Sequence, residues 1–163
     1  TAALPDKVKK LVVYEPPFII NDSRPPLPSD YVEQIEAAVA AGDRSAAVDV
    51  FMKQAQLIPE EWVAGMRQQP MWKQMESVAH TLAYDGVITR DLLQGKPWAA
   101  GTWDAVTVPT LAIAGGLSDR FFHDGAQALA ADLAQGEYQA LAGQDHNVSG
   151  EALAPLVIEF FKR

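Results

Sequence analysis

Three short apolar runs, each closed by residues that break helices and joined by stretches of helical periodicity, constrain this chain more than any other feature. Lys10-Leu11-Val12-Val13-Tyr14 stops at Glu15-Pro16-Pro17, and Thr110-Leu111-Ala112-Ile113-Ala114 follows Val108-Pro109 and stops at Gly115-Gly116. Tyr138 to Leu141 precedes the loop Ala142-Gly143-Gln144-Asp145-His146-Asn147-Val148. Runs this short, bounded by proline and glycine, are strands rather than helices. Between the second and third lies an alanine-rich helical segment, Phe121 to Leu133, which Gly136 is placed to end. After the third, Ser149 caps a last helix carrying Leu153, Leu156, Val157, Phe160 and Phe161. Strand, helix, strand, helix implies parallel pairing, because parallel strands need a long crossover and a helix is the usual one.

The first and second strands are separated by something larger. Residues 21–28 hold three prolines and read as an extended connector. Ser29 then serves as N-cap for a helix bearing Val32, Ile35 and Val39 and stopped at Gly42. Asp43 caps a second helix, Pro59 opens a third with Glu60 and Glu61 in its positive first turn, and Met71 to Ala83 forms a fourth. Gly95-Lys96-Pro97-Trp98 breaks the helical run. The expected organisation is an α/β core made of residues 1–25 and 106–163, with residues 26–105 inserted as a helical layer. Three strands make a small parallel sheet, since sheets average about five or six strands and parallel ones are covered on both faces. Further strands are therefore expected beside Lys10 to Tyr14.

Composition narrows the functions open to such a fold. The chain is 48% hydrophobic and 21% charged, with 13 Lys and Arg against 21 Asp and Glu and a formal charge of -8. That charge repels phosphate backbones and anionic bilayers, so neither nucleic acid nor membrane is expected as a partner. No apolar run approaches the ~20 residues of a membrane span. With no cysteine, disulfides, thiolate nucleophiles and Cys-ligated zinc are excluded, and without an H-E-x-x-H or similar cluster no metal is expected. The first residues show no signal peptide, which points to a cytoplasmic location.

Ligands of open α/β sheets bind beyond the carboxyl ends of the strands. Glu15 follows the first strand, Ser118 and Asp119 follow the second, and Asp145 and His146 follow the third. An acid and a histidine at one sheet edge are the acid–base half of a Ser-His-Asp relay. His146, in a glycine-containing polar loop, is the candidate general base. His80 reads as a residue of the helical layer and His123 as a surface residue near a helix start. Asp145, adjacent to His146 in the chain, points elsewhere if the backbone is extended.

In order and spacing, Leu11-Val12-Val13-Tyr14-Glu15-Pro16-Pro17, Val108 to Gly116 and Gly143-Gln144-Asp145-His146 resemble segments of α/β-hydrolases. The likeness is to the strand after the nucleophile helix, the strand bearing the usual acid, and the loop bearing the histidine. It implies a partial α/β-hydrolase fold, with a parallel sheet remnant, flanking helices and residues 26–105 as a lid. It also implies cofactor-independent, esterase-type hydrolysis of a small apolar ester by a nucleophile, His146 and an acid. Asp119 is the first candidate for the acid. Aligning Gly115 with the glycine that usually ends this strand would instead put Ser118 in the acid's place. Glu15 is the alternative acid, because haloalkane dehalogenase-like members carry theirs after the earlier strand.

The family's nucleophile sits on a sharp G-x-S-x-G turn upstream of these segments, and these 163 residues contain no such motif. Gly116-Leu117-Ser118-Asp119-Arg120 comes nearest but lacks the final glycine that lets the helix pack closely, and Ser118 is as well placed to cap the next helix. Thr1 to Asp6 reads as the tail of the helix after the nucleophile turn. The chain alone is therefore expected to be inactive. Pairing with an N-terminal half, or self-association through the exposed strand edge, is expected of it. A non-catalytic, self-associating domain on the same scaffold is the alternative.

Overall fold

The computed structural model describes the backbone of residues 1–163 and every side chain except that of Pro5. In chain order its strands and α-helices are β1 (Leu11–Tyr14), α1 (Tyr31–Ala40), α2 (Arg44–Val50), α3 (Glu60–Met66), α4 (Pro70–Val78), α5 (Leu82–Thr89), β2 (Thr110–Gly115), α6 (Arg120–Asp132), β3 (Gly136–Leu141) and α7 (Gly150–Lys162). They divide into two units, Thr1–Pro25 with Leu92–Arg163, and Pro26–Asp91.

The first unit is a three-stranded parallel sheet in the order β1-β2-β3. β2, the central strand, is buried along its whole length, as its unbroken apolar run requires of a strand covered on both faces. Its small residues, Ala112 and Ala114, meet Ala126, Leu129, Ala130 and Leu133, whereas Leu111 and Ile113 meet Phe160, Leu153 and Leu156. Side chains alternate across a strand, so α6 covers one face and α7 the other. Each large side chain fully buried here contributes roughly 1.5–3 kcal/mol.

The two edges of this sheet differ. β3 carries Glu137 and Gln139 outward, polar residues of the kind that protect an edge from further pairing. Every residue of β1 is apolar or aromatic and only half-buried. Its one strand partner among the described residues is β2.

The core unit resumes earlier than expected, at Leu92 rather than 106. The intervening segment is anchored to the loop after β1. The Ile19 amide donates to the Leu92 carbonyl, and the Gly95 amide donates to the Ile19 carbonyl, both at 2.8 Å. Trp98 and Trp103 then cluster with Phe18, ring centroids 5.6 to 5.7 Å apart. The bulky aromatics of 92–105 thus fill the face under α6, which periodicity alone could not assign.

In the helical unit, Tyr31, Val32, Ile35, Val48, Met52, Val63 and Trp72 form a core of its own. The Asp43 side chain accepts from the Ala46 amide at 2.9 Å, capping α2 as expected. The expected cap at Ser29 gives way to Asp30, because the Tyr31 amide bonds the Pro28 carbonyl in a turn and delays α1. The expected fourth helix is α4, followed by a 3-10 turn at Ala79–Thr81 and by α5. Gly86 permits that arrangement, since a Cβ there would lie 2.8 Å from Val32. Among the described residues, no helix is long and apolar enough to cross a membrane.

Candidate active site

The carboxyl ends of the three strands converge on Glu15. It directly follows β1, adopts a positive φ of 49° and donates its amide to the Ile113 carbonyl at 2.8 Å. A non-glycine residue held in this region costs on the order of 1–3 kcal/mol, a strain that tends to collect at functional positions. The kink sends the side chain inward, leaving the residue 3% exposed.

A buried carboxylate needs donors, and Glu15 has three. Its Oε1 accepts from the Gly115 amide at 2.7 Å and from the Ser118 hydroxyl. Its Oε2 lies 2.7 Å from His146 Nδ1. The histidine reaches it from the loop after β3, and its own side chain is 62% exposed. Phe122 of α6 stacks on the imidazole at 5.0 Å and 14°. Bonding to Nδ1 and stacking on one ring face leave Nε2 directed away from the acid.

The histidine loop is held from below. The Tyr14 hydroxyl donates to the Asp145 carbonyl at 2.5 Å, and the Leu117 amide donates to the Gln144 carbonyl at 2.9 Å. Desolvation pushes the Tyr14 phenol up to about 12, with the negative charges of Glu15 and Asp145 adding to the effect. The Asp145 side chain accepts from the Asn147 amide at 2.8 Å.

Of the two candidate acids, the fold brings Glu15 to the histidine and not Asp119. Asp119 is exposed, at the N-cap position of α6. Its charge supports the Arg24 guanidinium, whose pKa is nonetheless lowered by burial. The Ser118 hydroxyl does not cap α6, whose N-cap position is Asp119, but donates to Glu15. His80 is exposed in the Ala79–Thr81 turn. His123 is more engaged than a surface residue, with Nδ1 2.7 Å from the Tyr138 hydroxyl. Nothing in the sequence marks Phe122 for the site beyond its place on the first turn of the helix after β2.

A parallel sheet with helices on both faces, and an acid–histidine pair at its carboxyl edge, is the architecture of the α/β-hydrolase class. The chain is 39% identical, with a TM-score of 0.79, to the crystal structure of an alpha/beta hydrolase from Sphaerobacter thermophilus DSM 20745. The match covers 94% of this chain and 58% of that one. The chain therefore belongs to the α/β-hydrolase superfamily, as a homologue of part of such a protein. No family model and no curated protein matches it.

Proposed function

We propose that this chain supplies the acid, Glu15, and the general base, His146, of a nucleophile–histidine–acid relay, in a protein that hydrolyses small apolar esters without a cofactor. The supporting observation is the 2.7 Å contact between Glu15 Oε2 and His146 Nδ1. A carboxylate at Nδ1 favours the tautomer with its proton there, so the lone pair sits on Nε2, where a nucleophile's proton is taken. Sequence beyond these residues supplies the nucleophile. On the same reading the helical insertion, residues 26–105, is the lid.

Hydrolysis of p-nitrophenyl esters tests this reading. The 163-residue chain alone is expected to show no turnover above background. The protein that includes the nucleophile turns over and loses activity in His146→Ala. Robust turnover by the chain alone, abolished in Ser118→Ala, would refute the assignment.

The apolar, half-buried edge of β1 favours a second reading, in which this scaffold associates through that edge with another chain or a second copy. Sedimentation over a range of concentrations separates the two. A concentration-independent monomer rules out self-association.

A further inference from the structure

We infer that Ser118 is a positioning residue for the acid, its hydroxyl fixing the plane of the Glu15 carboxylate so that Oε2 faces His146. This rests on the reading of Glu15 and His146 as the acid–base pair. The terminal torsion of a glutamate is broad and roughly two-fold, so the side chain does not choose which oxygen faces the ring. A single donor would leave the carboxylate free to pivot about the bonded oxygen. Oε1 instead meets two donors from different directions, the Gly115 amide at 2.7 Å and the Ser118 hydroxyl. The histidine takes the remaining oxygen.

The placement of Ser118 is built into the turn after β2. Its amide donates to the Gly115 carbonyl at 3.0 Å. The hydroxyl approaches Glu15 through space that a Cβ on Gly115 would fill, 2.7 Å from the Ser118 oxygen. The residue at the N-cap of α6 is Asp119, whose side chain makes no capping bond, so a capping role does not account for the serine. Charge-assisted bonds such as the one it makes are the strong ones.

The test reads the ring tautomer of His146 in the 163-residue chain, 15N-labelled at its three histidines, by long-range proton–nitrogen correlation at alkaline pH. Loss of a signal in His146→Gln assigns it. In the unsubstituted chain the Nδ1–H form is expected to predominate. Ser118→Ala is expected to move the ratio toward Nε2–H by about three- to tenfold, the equilibrium equivalent of one ordinary hydrogen bond. Ser118→Thr, which keeps the hydroxyl, restores the ratio. Ser118→Cys, similar in shape but a weak donor, falls between, and it answers the same question should Ser118→Ala fail to fold by circular dichroism. An unchanged ratio in the folded alanine or cysteine variant, while Glu15→Gln reverses it, overturns the role of Ser118 alone. An unchanged ratio in Glu15→Gln overturns the acid–base pair itself, and the role of Ser118 with it.

Discussion

Glu15 and His146 stand 131 residues apart in the chain and 2.7 Å apart in space, joined through the Nδ1 edge of the imidazole. The contact requires all three strands. β1 delivers the acid, β2 ends in the glycine whose amide holds it, and β3 leads into the histidine loop.

Replacing Glu15 by Gln reverses the polarity of that contact. The Gly115 and Ser118 donors hold the amide oxygen where Oε1 now sits, so the NH2 group faces Nδ1 and forces the proton to Nε2. In the protein that includes the nucleophile, kcat is expected to fall by about 10⁴, the size of effect known for a wrong tautomer in such relays. Asp119→Asn is expected to change it less than about twofold, as for surface substitutions generally. Steady-state kinetics on p-nitrophenyl esters decides, and the opposite ranking would return the acid's role to Asp119.

Gly115→Ala is expected to damage both stability and the site. A Cβ at this position would lie 2.6 Å from the Gln144 carbonyl oxygen, 2.7 Å from Ser118 Oγ and 2.8 Å from Asp145 Cα. Two of these are backbone atoms of the loop that carries His146, so the loop must move. Overpacking of this kind costs about 1–3 kcal/mol. Thermal unfolding measures the cost, and loss of the Nδ1–H signal of His146 reports the displaced loop.

Much of this was legible in the sequence, for identifiable reasons. Strands as short and apolar as Leu11–Tyr14 and Thr110–Gly115, closed by Pro16 and Gly115-Gly116, admit little else, and His146 follows the last of them. Which carboxylate meets His146 was not legible. Asp119 and Glu15 both follow strands, and what separates them is the positive φ of Glu15, which turns its side chain inward, a backbone property that no residue type in Tyr-Glu-Pro announces. The boundary at Leu92 was hidden likewise, because Trp98 and Trp103 look the same whether they pack on helices or under a sheet.

Alkaline pH is expected to loosen the histidine loop through Tyr14. Its phenol is held protonated up to about 12 by desolvation first and by the nearby negative charges of Glu15 and Asp145 second. A folded pKa above the unfolded value near 10 means that the stabilisation is complete below about 10. It is lost as pH rises from there through about 12. Ionisation also removes the proton that Tyr14 donates to the Asp145 carbonyl. Tyrosinate absorbance, compared between the parent chain and Tyr14→Phe, should show one phenol missing from the late part of the titration. If the missing phenol instead titrates near 10, the ordinary tyrosine value, Tyr14 does not hold the loop.

At acid pH the expected weak point is in the helical unit, at Asp49. Arg67 Nε donates to its carboxylate at 2.8 Å and Lys53 Nζ at 3.2 Å, while Glu60 bridges the same two cations at 3.0 Å each. Burial works against the Asp49 charge, but the hydrogen bonds from Arg67 and Lys53 outweigh it and hold the carboxyl below its ordinary 3.8. A depressed folded pKa gives stability that is present above the unfolded value and disappears as pH falls through the folded one. The network lies at the surface, so Asp49→Asn is expected to cost only about 1 kcal/mol at neutral pH. Its clearer signature is a flatter acid limb. The difference in stability between the parent chain and Asp49→Asn should shrink below pH 4 and also in high salt, which screens exposed charges. Urea unfolding followed by far-ultraviolet circular dichroism across that range checks it. A difference that persists unchanged into acid would show that Asp49 acts through packing rather than through its charge.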